Sequence, residues 1–225
     1  MTVHHRDLTR SMSSIFLAAP PSRSDLYRSC LKRALDLTLV LLTLPAVVLV
    51  ILLLALAVAL DGGQPFYTQM RLGRGGRSFR LWKLRSMVPD AEARLQAYLD
   101  QNPAARAEWD ATQKLRDDPR ITRIGRMLRR TSLDELPQLW NVIRGDMSLV
   151  GPRPMMPTQR SLYPGRAYFA LRPGITGLWQ VSKRNEALFA ERAAFDMDYY
   201  QRLSLALDLQ VLAATVRVVL RATGY

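Results

Sequence analysis

LTLVLLTLPAVVLVILLLALAVAL, residues 37–60, runs for 24 positions without a charged side chain. Built as an α-helix at ~1.5 Å per residue it reaches about 36 Å, enough to cross a hydrocarbon core of ~30 Å. A core helix of a soluble domain this size is seldom so uniformly apolar, so the run reads as a membrane segment. Pro45 lies inside it, where it removes a backbone donor and crowds the preceding turn. The sequence therefore predicts a kink there, with Thr43 satisfying a freed carbonyl. Both flanks are basic: Arg28, Lys32 and Arg33 come before, and Arg71, Arg74, Arg77, Arg80, Lys83 and Arg85 after. Positive charge marks the cytoplasmic side. With both ends so marked, the economical topology is a hairpin that enters, bends near Pro45 and leaves by the same face. A straight crossing stays open, since charge on a short tail is only a bias. Either topology keeps the body cytoplasmic. Asp36, at the edge of the run, needs a partner; Lys32 and Arg33 stand at helical spacing to supply one.

Outward from this run, residues 1–30 form a polar tail with a Pro-Pro break and the paired His4 and His5. Such composition buries little apolar surface. It does not read as a signal peptide, because the apolar run starts late and is too long. Residues 31–61 are then the membrane helix and 62–225 a cytoplasmic domain with interfacial helices. Cys30 is the one cysteine, which excludes an internal disulfide and a cysteine zinc site. Lys and Arg total 32 against 19 acids, a net charge of +13, and this predicts a phosphate-rich partner or an anionic membrane surface. Chemistry in the body must run on carboxylates, arginines, lysines, hydroxyls or a metal held by oxygen.

The body reads as α+β, mostly helical with a short β-hairpin. Phe66-Tyr67-Thr68 and Phe79 to Leu84 are short strands around an LGRGG turn that lacks nucleotide-loop spacing. The basic residues nearby are expected against lipid headgroups, at ~1 kcal/mol each. Residues 89–116 form two helices broken at Asn102-Pro103. Arg120, Arg123 and Arg126, followed by Arg129 and Arg130, read as an anion site. Gly151-Pro152-Arg153-Pro154 and Arg172-Pro173-Gly174 hold arginines on stiff turns. The last helix, 203–221, is too polar to span and is expected to pack on the body or lie at the interface.

TSLDELPQLW, residues 131–140, sets Asp134 beside Glu135 in this basic chain. Ser132 and Glu135 match a capping box for a helix over 133–142, with Pro137 limiting its first turn. The same pair could instead bind Mg²⁺ or attack phosphorus, with arginines neutralising the transferring group. Spacing alone leaves both readings open.

SLDELPQLWNVIRGDMSLVGPRP resembles the signature of the monotopic phosphoglycosyl transferases, the bacterial sugar transferase family. KRALDLTLVLLTLP is similar to that family's membrane-entry helix, FRLWKLRSM to its basic strand, RPGITGLWQVSKRN to its second arginine motif and FDMDYYQRLSLALDL to its C-terminal segment. The resemblance covers about residues 31–222. It implies transfer of a sugar 1-phosphate from a UDP-hexose to a polyprenyl phosphate such as undecaprenyl phosphate, with Mg²⁺, releasing UMP as the first membrane step of exopolysaccharide or O-antigen synthesis. By resemblance Asp134 is the nucleophile and Glu135 positions the metal or manages protons; both are candidate ligands of Mg²⁺. Arg129, Arg153 and Arg172, with Lys83 and Arg85 of the basic strand, would bind substrate. The family's membrane helix is re-entrant and broken at a proline, where Pro45 stands. The implied location is the cytoplasmic face of the bacterial inner membrane, among its lipids and without nucleic acid; self-association into a homo-oligomer stays open. Two departures stand out: Leu44 replaces a small polar residue, with Thr43 beside it, and Lys183 replaces a glycine of QVSGR. With no large membrane domain before residue 31, the minimal form of the family is expected. The competing class is a non-catalytic basic protein tethered to the membrane, a scaffold or a binder of anionic lipid or nucleic acid. It lacks the aromatic interleaving of a stacking platform.

Overall fold

A computed structural model describes residues 26–112, 115–182 and 189–220. The tail through residue 25, including His4 and His5, and Lys183 lie outside the described residues. A π-helical turn, Tyr27–Leu31, leads into α1, Lys32–Leu60, which is helical throughout with Pro45 inside it. Thr43 Oγ1 donates to the carbonyls of Leu39 and Val40 at 2.9 and 3.2 Å. It does not reach the Leu41 carbonyl, which is the one that Pro45, lacking an N–H, leaves without its helical donor.

Among the described residues, the buried side chains of α1 lie near its two ends and not between. Near its start Asp36 and Val40 are buried, and near its end Ala55 and Val58. Val40 joins an apolar cluster with Phe79, Leu81, Val142 and Met147, while Ala55 and Val58 join Leu84 and Leu128. Leu42, Leu49 and Leu53, in the middle, are exposed. Val40 and Val58 would stand about 27 Å apart on a straight helix, whereas Leu81 and Leu84 are separated by ~10 Å of strand.

The amino end of α1 is fastened by buried polar contacts. Arg33 donates to the carbonyls of Val142 and Ile143 at 2.5 and 2.9 Å, at the negative end of a helix. Asp36 accepts from Ser148 Oγ at 2.7 Å and from the Leu149 N–H at 3.0 Å. Its hydrogen-bond partners are thus a hydroxyl and a backbone amide, not Lys32 or Arg33 as the helical spacing suggested. Lys32 pairs instead with Asp208 at 2.6 Å. Asp208 also accepts from Tyr27 and Tyr199, each at 2.6 Å.

β1, Phe66–Leu72, and β2, Ser78–Leu84, pair antiparallel with Phe66 opposite Leu84 and Leu72 opposite Ser78. Gly75 and Gly76 turn the chain at φ 69° and 77°, where a side chain would be strained. α2, Ala91–Gln101, and α3, Pro103–Thr112, break at Asn102 as the sequence predicts. Asn102 is extended, as a residue before proline prefers. α4, Arg123–Thr131, is capped by Thr122, whose hydroxyl accepts from the Gly125 N–H at 2.9 Å.

The next segment departs from the capping reading. Ser132 sits at φ 58°, closes α4 with its backbone and makes no side-chain capping bond. Leu133–Glu135 is a separate 3₁₀ turn, and α5, Gln138–Arg144, starts only after Pro137. The expected single helix over 133–142 is therefore two pieces, because Pro137 cannot donate the N–H that would join them.

β3, Ser148–Val150, and β4, Gly174–Thr176, form a parallel pair that the sequence did not announce. It packs the two proline-rich turns back to back: a Cβ on Gly174 would meet the Gly151 nitrogen at 2.1 Å. Short helices α6, Ala167–Ala170, and α7, Leu178–Val181, flank β4. α8, Arg192–Arg202, and α9, Leu205–Leu220, follow. α9 buries Leu207, Asp208 and Val211 and exposes Leu205, Leu209 and Val216, so it packs by one face on the body. The whole is mostly helical with a short hairpin, and α1 is long and apolar enough to cross a membrane by length and composition.

Asp208→Ala would strand the Lys32 ammonium and two tyrosine hydroxyls, and should cost ~3 kcal/mol or more. Arg202→Ala, which breaks an exposed pair with Asp198, should stay within ~0.5 kcal/mol. Thermal unfolding of the two variants in the same detergent checks the contrast.

Candidate active site

The 3₁₀ turn is what makes the acid pair. Two consecutive carboxylates on so tight a turn repel unless a cation lies between them, and β2 provides it. Lys83 Nζ lies 3.2 Å from Asp134 Oδ2 and 2.8 Å from Glu135 Oε1. Arg153, on the stiff turn after β3, approaches Glu135 Oε1 at 3.7 Å. Asp134 is only 6% exposed, beneath the lysine. Arg129 adds charge from below: its Nε donates to Ser86 Oγ at 2.9 Å, and burial pushes its guanidinium below the usual range while Asp134 and Asp118 pull it back.

Two cavities meet at Glu135, and Asp134, buried beside it, lines neither. The first, of about 150 Å³, is lined by Arg71, Lys83, Glu135, Gln138, Arg153, Gln159 and Arg192 among others. Arg71, Leu81 and Lys83 share one face of the hairpin by its register. The Nε atoms of Arg71 and Arg192 are buried without a hydrogen-bond partner. Burial first, and then the neighbouring Arg153, pushes both guanidiniums down to about 10. Arg192 is fixed between Trp179 and Phe189, its guanidinium carbon 4.2 and 4.6 Å from the ring centres. Three guanidiniums and an ammonium converge on a space faced by one carboxylate. That excess suits a multiply charged anion with several oxygens.

The second cavity, of about 190 Å³, shares Glu135 and Arg153 with the first. Its walls are mainly apolar, from Leu136, Leu139, Ile175, Val218 and Val219, with Thr131, Ser132, Thr176, Thr215 and Gln180 as further polar residues.

The structure gathers Asp134, Glu135, Lys83, Arg129 and Arg153 of the sequence candidates. It does not bring Arg85 or Arg172 to the pair; neither lines these two cavities, nor do Asp134 and Arg129, which adjoin them through Lys83 and Glu135. Arg85 donates to the Val58 carbonyl at 2.9 Å, closing the end of α1. Arg172 donates to the Gly145 carbonyl at 3.1 Å and has Arg33 and Arg74 as charged neighbours. The arginine series before the pair also divides. Arg120 is tied to Asp118 at 2.6 Å, Arg123, Arg126 and Arg130 are exposed, and only Arg129 of the five turns toward the acids. Arg71, expected against lipid, is instead a wall of the first cavity. Strand alternation could have found it, since it shares a face with Lys83; nothing in the sequence around Arg192 marks it.

For a metal, the donor set is two carboxylates, and no group of three or more His, Cys, Asp or Glu occurs among the described residues. That set fits Mg²⁺ when substrate phosphates complete the shell, and Lys83 now balances the same charges.

The family model for bacterial sugar transferases matches residues 27–222. The chain is 49% identical over 200 residues to the UDP-galactose-lipid carrier transferase of Erwinia amylovora, covering 86% of this chain and 41% of that one. It is 45% identical over 196 residues to the exopolysaccharide production protein ExoY of Sinorhizobium fredii, covering 86% and 87%. It is 44% identical over 196 residues to the undecaprenyl-phosphate galactose phosphotransferase of Salmonella typhimurium, covering 86% and 41%. The chain thus spans less than half of the Erwinia and Salmonella relatives and most of the Sinorhizobium one.

If the first cavity is an anion site, Arg71→Gln and Arg192→Gln should each weaken inorganic pyrophosphate binding about tenfold, the loss of one charge-assisted contact. Arg85→Gln and Arg172→Gln should leave it within about twofold. Titration calorimetry of the four variants makes the comparison.

Proposed function

The chain belongs to the bacterial sugar transferase family, and from that premise we propose that it transfers a hexose 1-phosphate from a UDP-hexose to polyprenyl phosphate. A carboxylate oxygen of Asp134 attacks the sugar-side phosphorus. The new O–P bond forms as the bond to UMP breaks, and UMP leaves with the electron pair. A phosphate oxygen of the lipid then attacks the same phosphorus, the bond to Asp134 breaks, and the carboxylate is restored. No net proton is consumed in the two displacements. The observation that carries this reading is the Asp134-Glu135 pair beside two adjoining cavities that share Glu135, one of them walled by three guanidiniums and an ammonium against a single carboxylate.

Each neighbour has a part. Lys83 neutralises the pair at rest; its ammonium would be drawn to the arriving phosphates and so uncover Asp134. Arg71, Arg153 and Arg192 would hold the diphosphate and offset the charge that builds on the leaving UMP. Arg129 would steady Asp134 from beneath. Asp134 and Glu135, together with diphosphate oxygens, would hold Mg²⁺, which supplies further neutralisation of the transferring group. The product is a lipid-linked sugar, in keeping with the names of the Erwinia, Salmonella and Sinorhizobium relatives.

For the membrane we propose a re-entrant α1 that leaves the catalytic body on the cytoplasmic face of the inner membrane. Three features support it. Both ends of α1 pack on one body, the apolar middle is exposed, and Pro45 lies between the docked ends.

Detergent-solubilised protein given UDP-hexose, Mg²⁺ and polyprenyl phosphate should release UMP. Asp134→Asn should abolish release, and mass spectrometry of the wild type without acceptor should find a sugar phosphate on residue 134. Ser132→Ala should lose far less than Asp134→Asn, since that side chain does not cap a helix here and takes no part in the displacements. Undiminished turnover by Asp134→Asn would remove the nucleophile from this position. For topology, an impermeant maleimide should label the exposed Cys30 and a cysteine introduced by Asp61→Cys from the same side of a sealed vesicle; labelling from opposite sides rules out the hairpin.

A further inference from the structure

Gln180 stands in the wall of the second cavity and has no role in the displacement chemistry. It is 7% exposed, and neither its Oε1 nor its Nε2 has a hydrogen-bond partner. Buried side-chain amides in folded proteins are nearly always bonded. One left wholly unpaired at a cavity wall is matched to a ligand that brings its own donors and acceptors. Thr176 and Thr215 lie in the same wall, but their hydroxyls bond to each other at 2.7 Å. Apart from Thr131, Ser132, and Glu135 and Arg153 at the junction, the remaining walls are aliphatic, and a few polar groups on an apolar surface is the pattern of a small-ligand site.

The stereochemistry of in-line transfer says what that ligand is. An entering group attacks phosphorus opposite the group that leaves. In the first displacement Asp134 enters opposite UMP. In the second, the lipid phosphate enters opposite Asp134, along the direction by which UMP departed. The cationic cavity therefore serves the nucleotide phosphates and the lipid phosphate in turn. The hexosyl substituent stays on phosphorus through both steps and needs a space of its own, beside that line. The second cavity meets the first at Glu135 and Arg153, next in the chain to Asp134, which on this reading carries the phosphorus. Its volume of about 190 Å³ suits a single sugar ring and not a long isoprenoid chain.

We propose that the second cavity is the hexosyl subsite and that Gln180 is the residue that reads the sugar there. Its amide presents a donor and an acceptor side by side, which matches two neighbouring hydroxyls of a pyranose, while Leu136, Ile175 and Val218 cover the C–H face of the ring. This rests on the sugar-phosphate transfer reading, and it adds a source of selectivity: hexoses that differ in the orientation of one of those hydroxyls would keep only one of the two bonds.

The test pairs Gln180→Leu, of similar volume, with UDP-hexose and its monodeoxy analogues. Wild type should lose about 100-fold in kcat/KM on at least one analogue, as sites built to bond a hydroxyl do when it is missing. Gln180→Leu should lose a similar factor on the parent sugar and no longer distinguish that analogue. Its KM for polyprenyl phosphate and its affinity for UMP should be unchanged. Gln180→Glu, which keeps an acceptor, should recover part of the loss. The unfolding temperature of Gln180→Leu should hold or rise, because the substitution removes an unpaired buried amide; a purely structural glutamine would lower it. Retained discrimination by Gln180→Leu, or a defect confined to the KM for polyprenyl phosphate, overturns the subsite. Binding keeps the two readings separable. A wild type that releases no UMP defeats the transfer reading, and the subsite then stands if Gln180→Leu weakens UDP-hexose and not UMP in calorimetry, and falls if both bind as before.

Discussion

One ammonium group sits between two adjacent carboxylates, and much of the body is arranged to keep it there. A 3₁₀ turn that ends in Asp134-Glu135 would force its charges apart without Lys83. Lys83 can reach them only from the hairpin face that also carries Arg71. Asn141 of α5 fixes that hairpin from the other side, accepting from the Trp82 N–H at 3.1 Å and donating to the Arg80 carbonyl at 2.7 Å. The hairpin, the turn and α5 thus form one unit. A cavity of converging guanidiniums follows from the same placement, because Arg71 and Lys83 face inward together and Arg153 is delivered by the turn after β3.

The second constraint is how the two proline-rich turns meet. Gly151 and Gly174 allow backbone to touch backbone where a side chain on either would collide. β3 and β4 lock side by side as a result, and the same contact orients Arg153 toward Glu135 while sending Arg172 toward α1 and Gly145. Two arginines in similar local sequence therefore do different work: one faces the acids, the other sits with Arg33 at the carboxyl end of α5.

What could be read in the sequence follows from this. The apolar run, the hairpin and the break at Asn102-Pro103 are local in origin, set by composition, alternation and the missing proline N–H, and they were legible. Asp134, Glu135 and Arg153 were legible through motif resemblance, and the capping alternative failed for a local reason, the left-handed Ser132. Arg192 was not legible, because its place depends on Trp179 and Phe189 packing around it. Asp36 was recognised as needing a partner, yet its sequence neighbours Lys32 and Arg33 were chosen where Ser148, over a hundred positions away, is the one used, and Lys32 goes to the still more distant Asp208. Gln180 drew no separate reading from the sequence; only the three-dimensional arrangement leaves its side-chain amide without a hydrogen-bond partner.

A helix that crosses a bilayer is matched to that bilayer's width, and a mismatch must be absorbed by tilting or by deforming lipid. α1 is fastened to one body at Arg33 and Asp36 and again at Val58 and Arg85. In the re-entrant arrangement proposed above, its immersion depth would be a property of the protein's own contacts and not of the surrounding lipid. The acid pair would stand at a constant height above the headgroups in thin and thick membranes alike.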